Sequence, residues 1–133
     1  MKLLDTDTCI AILRGKQHVI DRREEEPDDV ATSWVTAAEL YFGAAKSDAP
    51  DDNQTVVDDF LETLPVLQPD LAAAQVFGEA KALLQRAGLP LPDADLFIAA
   101  IAVANNATVV TGNKKHFSRI PGVVVEDWIW TSK

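Results

Sequence analysis

Residues 98–104 (Ile-Ala-Ala-Ile-Ala-Val-Ala) carry no polar side chain, and shortly after them the chain runs Thr108-Val109-Val110-Thr111. A helix that is apolar nearly all round belongs in the centre of a domain rather than on its surface. β-branched runs such as 108–111 and Val123-Val124-Val125 suit strands buried on both faces, which is the condition of strands in a parallel sheet. Parallel neighbours cannot be joined by a tight hairpin and need helical crossovers. The two features together predict an α/β domain of three layers, α/β/α, around a mainly parallel central sheet.

The rest of the chain fits that plan. Residues 2–5 read as a short buried strand and 7–14 as a helix ended by Gly15, with a second helix over 16–25. Pro27-Asp28-Asp29 is a turn, 30–35 a strand, and Thr36 opens a helix to about Lys46. The Asp-rich stretch 47–53, with Pro50, reads as a loop before a helix at 54–63 and a brief strand at Val66-Leu67. Residues 71–87 form an amphipathic helix with Ala73, Phe77, Ala80 and Leu84 on one face, stopped by Gly88 and Pro90. The helix at 93–105 and the strands at 108–111 and 123–125 complete a single domain spanning 1–133.

With 133 residues and 47% hydrophobic content the chain can bury a core of its own. One cysteine, Cys9, excludes a disulfide framework and fits a reducing compartment. No signal peptide or membrane span is legible, so a cytoplasmic location is expected. The net charge of −9 argues against a dedicated nucleic-acid-binding surface. It is unevenly placed: residues 1–70 hold 6 Lys/Arg against 16 Asp/Glu, whereas 71–133 hold 6 against 5. An acidic first half therefore does not exclude an RNA substrate elsewhere on the molecule.

Chemistry concentrates where strands give way to helices, the edge at which α/β sheets gather ligands. Asp5 ends the first strand, and Thr6 and Asp7 are better placed than it to cap the next helix. Glu39 stands in Thr36-Ala37-Ala38-Glu39, which also reads as a capping box. Asp93 and Asp95 open an otherwise uncharged helix; Asp95 is the better ligand and Asp93 the better cap or supporting residue. Thr111-Gly112-Asn113 reads either as a plain turn or as a source of hydrogen bonds to metal-bound water. His18 and His116 have no metal-ligand spacing and are read as surface residues, and Cys9 as a packed thiol. Convergent carboxylates require a cation to offset their repulsion. An all-oxygen donor set points to Mg²⁺, or Mn²⁺, and to phosphodiester hydrolysis.

These residues resemble a known family. Leu4-Asp5-Thr6-Asp7, Ala38-Glu39-Leu40-Tyr41-Phe42-Gly43-Ala44, Asp93-Ala94-Asp95-Leu96-Phe97-Ile98 and Val110-Thr111-Gly112-Asn113 look like the motifs of PIN-domain ribonucleases, in order along the whole chain. The ending, Phe117 to Val123 with Val125-Glu126-Asp127-Trp128, is similar to the VapC toxins of toxin–antitoxin pairs. The resemblance implies Asp5, Glu39 and Asp95 as acidic metal ligands, with Ser33 or Thr36 ordering water beside them. Asn113 stands where the family often has a fourth acid, which leaves the number of metals open. It further implies a homodimer, a small VapB-type antitoxin and RNA cleavage, with transfer RNA as a target. Lys114, Arg119 and Arg14 are the candidates for phosphate contact.

Two other readings remain open at this point. Asp5-Thr6-Asp7-Thr8 fits the Asp-x-Asp-x-Thr motif of haloacid-dehalogenase-type phosphatases, with Asp5 as nucleophile and Asp7 as acid/base. That reading leaves Glu39 without a task and needs late acids directly after a strand, whereas Asp93 and Asp95 follow Leu89-Pro90-Leu91-Pro92. The other reading is a PIN module that binds RNA or its antitoxin without cleaving, motivated by Asn113 and the acidity.

Overall fold

The computed structural model describes residues 1–130. Its elements are β1 (Lys2–Leu4), α1 (Thr6–Leu13), α2 (Gln17–Glu25), β2 (Val30–Ser33), α3 (Trp34–Ala45), α4 (Pro50–Leu61), β3 (Val66–Leu67), α5 (Leu71–Arg86), α6 (Asp93–Ala104), β4 (Thr108–Val110), α7 (Lys114–Phe117) and β5 (Val124–Glu126). The strands form one five-stranded sheet in the order β3-β2-β1-β4-β5, parallel at every pairing. The central strand, β1, is therefore the first in the chain.

Adjacent residues of a strand point to opposite faces, and the two central strands use this to build two cores. Leu3 and Val109 pack with Ala31 against the apolar helix α6 and against α5. Leu4 and Val110 pack on the other face with Cys9, Val19, Leu40, Phe60 and Trp128. The parallel sheet thus lies between two helical layers. The register pairs Leu4 with Val110, so Asp5 and Thr111, each one residue further on, emerge side by side at the carboxyl edge.

Three local readings of the sequence are corrected. The strand expected over 30–35 stops at Ser33, whose hydroxyl accepts from the Thr36 amide at 3.1 Å and caps α3. The helix begins at Trp34, so Thr36 is inside it and Glu39 sits beyond the third position that a capping box requires. The loop expected over 47–53 is cut short by α4, which starts at Pro50 with Asp51 and Asp52 in its first turn. Proline suits the first helical position and acids suit a helix start, so a turn-like string is here a helix opening. The short α7 was not foreseen; four residues show little periodicity.

Candidate active site at the carboxyl edge of the sheet

Asp5 is the N-cap of α1: its Oδ1 accepts from the Thr8 amide at 2.9 Å. The cap expected of Thr6 or Asp7 is therefore made by Asp5 itself. Only 4% of Asp5 is exposed. Burial raises its pKa to about 6, against the lowering effect of hydrogen bonding with Thr111 and Thr8, whose amide donates to it, and the charge of Asp7 raises it further. Asp5 thus both starts a helix and stores the unfavourable energy of a buried carboxylate.

Asp95, in the first turn of α6, is half-buried. Desolvation raises its pKa, the charges of Glu39 and Asp7 raise it further, and His116 opposes them. Glu39 is exposed on α3 and its Oε1 accepts from the Thr6 hydroxyl at 2.5 Å. The Thr6 hydroxyl also lies 3.1 Å from that of Thr36. Ser33 is buried and committed to its cap, so of the two hydroxyls expected beside the site it is Thr36 that reaches the acids, through Thr6.

The far side is built from the loop after β4. Thr111, fully buried, accepts from the Asn113 amide at 2.9 Å while its hydroxyl bonds Asp5. The Asn113 side-chain nitrogen lies 2.6 Å from Nδ1 of His116. An amide nitrogen only donates, so the ring accepts there and its neutral form carries the proton on Nε2. Contacts therefore run from Asp5 through Thr111 and Asn113 to His116, and separately from Glu39 through Thr6 to Thr36, while Asp95 couples to His116 and Glu39 through charge. Among the described residues no lysine or arginine forms an ion pair with Asp5, Asp7, Glu39 or Asp95. Nor do three His, Cys, Asp or Glu side chains among them already surround a common metal position.

Asp93 departs from expectation. It is the first residue of α6 but makes no cap, that position falling to Pro92, and it pairs with Lys81 of α5 at 3.0 Å. Two residues gained importance instead. His116, read as a surface residue, contacts Asn113 and lowers the Asp95 pKa through its charge; its signal was its position three residues after Asn113, on one helical turn. Asp7, read only as a helix starter or a phosphatase acid, couples electrostatically to both Asp5 and Asp95.

Two clefts adjoin at α1. One of about 320 Å³ includes Asp7, Arg14, Lys16, Asn113 and Trp130 in its walls. One of about 600 Å³ between α1, α3 and α4 includes Glu39, Leu40, Phe42, Lys46 and Val56. Asp7, Ile10 and Arg14 line both. Lys114 is exposed and Arg119 half-buried at either end of α7, and neither lines these two clefts.

A PIN-domain family model matches residues 2–123. The chain belongs to the PIN-domain family. Within it, the chain is 40% identical to the tRNA(fMet)-specific endonuclease VapC of Salmonella typhimurium, covering 95% of this chain and 96% of that protein. It is 35% identical to ribonuclease VapC2 of Rickettsia felis over the same shares of the two chains. Among solved structures, DNA-bound VapBC from Salmonella typhimurium superposes with a TM-score of 0.91 at 40% identity, over 96% of this chain and 98% of that one. VapBC2 from Rickettsia felis, bound to a DNA fragment from its promoter, gives a TM-score of 0.91 at 32% identity over the same shares. The chain is thus a PIN-domain endoribonuclease of the VapC type. The phosphatase reading of Asp5-Thr6-Asp7-Thr8 finds no support in this family or fold.

Proposed function

We propose that the protein is a divalent-metal-dependent endoribonuclease toxin that cuts RNA, with transfer RNA as its substrate class. The observation that carries this reading is the set of raised, cation-poor carboxylates at the carboxyl edge of the sheet, Asp5 and Asp95 with Glu39 and Asp7 beside them. Its donors are hard oxygens, and carboxyl pKa values raised by burial and like charge are what a bound cation reverses. Mg²⁺ takes few carboxylates and keeps several waters, so Asp5 and Asp95, with Glu39 completing the set, would hold Mg²⁺ or Mn²⁺. When bound, such an ion supplies an activated water and charge compensation at a phosphodiester.

The chain's own groups prepare that site. Thr8 and Thr111 fix the Asp5 carboxylate, Thr6 holds Glu39, and Asn113 holds the His116 ring, whose charge acts on Asp95. The larger cleft supports a VapB-type antitoxin as partner: its walls combine exposed Phe42 and Val56 with Arg14, Lys46 and Glu39. Exposed Leu71 and Leu83 on α5 support a homodimer. No helix among the described residues is long and apolar enough to cross a membrane, and we place the protein in the cytoplasm as a single domain over 1–133.

The test is incubation of antitoxin-free protein with total RNA, in Mg²⁺ and in chelator. Cleavage is expected only with the metal and is expected to vanish in Asp5→Asn and Asp95→Asn. Cleavage that survives chelation, or is undiminished in both variants, would sink the reading.

A further inference from the structure

Trp130 is 74% exposed, whereas Trp128, two residues earlier, is fully buried. An indole left in water is usually mobile, but this one is tied down. Its Nε1 donates to the Gly112 carbonyl at 3.0 Å, and its backbone amide donates to Asp127 Oδ1 at 2.9 Å. The Lys16 ammonium sits 5.6 Å from the ring centroid, a cation–π contact on the ring. The preceding residue is held as well, since its carbonyl lies 2.7 Å from His18 Nε2. Gly112 is what lets the segment in: a Cβ there would come within 2.8 Å of Ile129 Cδ1 and 3.1 Å of Trp130 Nε1.

The ring is therefore exposed and fixed at once, and it lines the smaller cleft with Asp7, Arg14, Lys16 and Asn113. Core packing does not account for it, because most of its surface faces solvent. Two cations and a flat apolar surface, beside a site that handles phosphodiesters, match a nucleotide: phosphate for the cations and a base for the ring. Every base has a π-face, so such a platform needs no particular sequence.

We propose that Trp130 is a stacking platform for an unpaired base of the RNA substrate, with Arg14 and Lys16 holding the flanking phosphates. This deepens the ribonuclease reading above and rests on it. Trp130 acts by placing the substrate: its hydrogen bonds go to Gly112 and Asp127 rather than to Asp5, Glu39 or Asp95.

The test uses the full chain freed of antitoxin, with bulk transfer RNA as probe, comparing wild type, Trp130→Ala and Trp130→Phe. Cleavage kinetics are read in Mg²⁺, and binding of end-labelled transfer RNA is read in chelator, where no cleavage is expected. Loss of one stacked base weakens binding by roughly tenfold. Trp130→Ala is expected to raise KM and the binding constant by that factor while kcat stays within about twofold. Trp130→Phe is expected to recover most of the loss. Wild-type KM in Trp130→Ala, or a Phe variant no better than Ala, overturns the proposal. So does an Ala variant that keeps its RNA affinity but escapes the antitoxin, which would assign the indole to the protein partner. Should the wild type cut no RNA, the ribonuclease reading fails separately, and the binding arm in chelator still decides the role of Trp130.

Discussion

Glu126, the last residue of β5, and Asp5, the first residue beyond β1, are carboxylates near the same edge of one sheet, yet the protein surrounds them differently. Glu126 receives Lys2 at 2.8 Å and Arg22 at 3.0 Å, and the Trp128 indole N–H donates to it as well. Despite desolvation, the Lys2 and Trp128 hydrogen bonds and the charges of Lys2 and Arg22 hold its pKa below the ordinary glutamate value. Asp5 receives hydroxyls and an amide but no cation, and burial holds its pKa up near 6. Asp95 is likewise raised. An acid whose work is structural is neutralised by its own chain, while acids kept for a ligand are left short of positive charge. On the proposed assignment of the site, the acid that neutralises its charge within the chain and the acids that would hold the metal are in this way separated along the sheet.

Activity should show the largest difference between the two regions. Asp95→Asn removes a carboxylate from the proposed metal site and is expected to lower metal-dependent RNA cleavage on the order of 10³-fold, the equivalent of several kcal/mol. Glu126→Gln should leave kcat within about twofold. Comparable losses in the two variants, measured on the same RNA, would erase the functional side of the comparison.

Stability in chelator should run the other way. A carboxyl whose folded pKa lies above its unfolded value binds protons more tightly when native, so ionising it costs stability. For Asp5, with an ordinary value of 3.8 and a folded value of about 6, the cost is absent below about pH 4 and grows between the two values. It is complete above about pH 7, at roughly 3 kcal/mol. The Asp5 contribution should therefore favour the folded metal-free protein on acidification from pH 7 toward pH 4.5, against the opposite contribution of Glu126. Asp5→Asn, which keeps a cap-competent side chain, should be more stable than wild type at pH 7.5 and should show a flatter pH dependence. Denaturant titrations across that range check both; a stability difference between wild type and Asp5→Asn that does not change with pH would contradict the burial of an uncompensated Asp5. Mg²⁺ should raise the wild-type midpoint and leave Asp5→Asn unmoved.

Glu126 has the opposite sign. Its folded pKa is depressed, so its contribution is present above the ordinary glutamate range and is lost as pH falls through the folded value. Glu126→Gln should cost about 1 kcal/mol at pH 7, because Lys2 and Arg22 lose a partner in a partly solvated place where screening limits the effect. Equal stability of variant and wild type at neutral pH would show that the ion pairs are ornamental.

Much of this organisation was legible in the sequence, and the failures are instructive. A mainly parallel sheet is expected from the apolar run at 98–104 and the β-branched run at 108–111, which suit a central helix and strands buried on both faces, and the sheet is parallel at every pairing. Asp5 and Asp95 stood out as acids beside apolar elements, where a charge is hard to accommodate. The cap of α1 falls to Asp5 rather than to Thr6 or Asp7 because its two carboxylate oxygens allow it to serve the helix and the sheet edge together. Glu39 was entangled with a capping box because the boundary at Trp34 depends on Ser33, whose hydroxyl acts only once β2 has ended. His116 and Trp130 are not legible in the sequence because charge coupling to Asp95 and a hydrogen bond to Gly112 give them meaning, and periodicity carries no trace of such long-range relations.

The smallest effect concerns the segment that joins the two regions, running from Glu126 through buried Trp128 to Trp130 at the cleft. Gly112→Ala would press a methyl group against Ile129 Cδ1, 2.8 Å away, and against the Trp130 indole at 3.1 Å. The nearest atom is the end of an isoleucine side chain that can turn aside, so the loss of stability should stay near 1 kcal/mol. The hydrogen bond from the indole to the Gly112 carbonyl has less room to adjust, because the same residue carries both the carbonyl and the intruding methyl. Trp130 emission should therefore shift toward that of a freely hydrated indole, read in a variant where Trp34 and Trp128 are replaced by Phe. An unchanged spectrum in Gly112→Ala would mean that Asp127 and Lys16 alone set the ring, and that the glycine is incidental to the link between the structural acid and the functional ones.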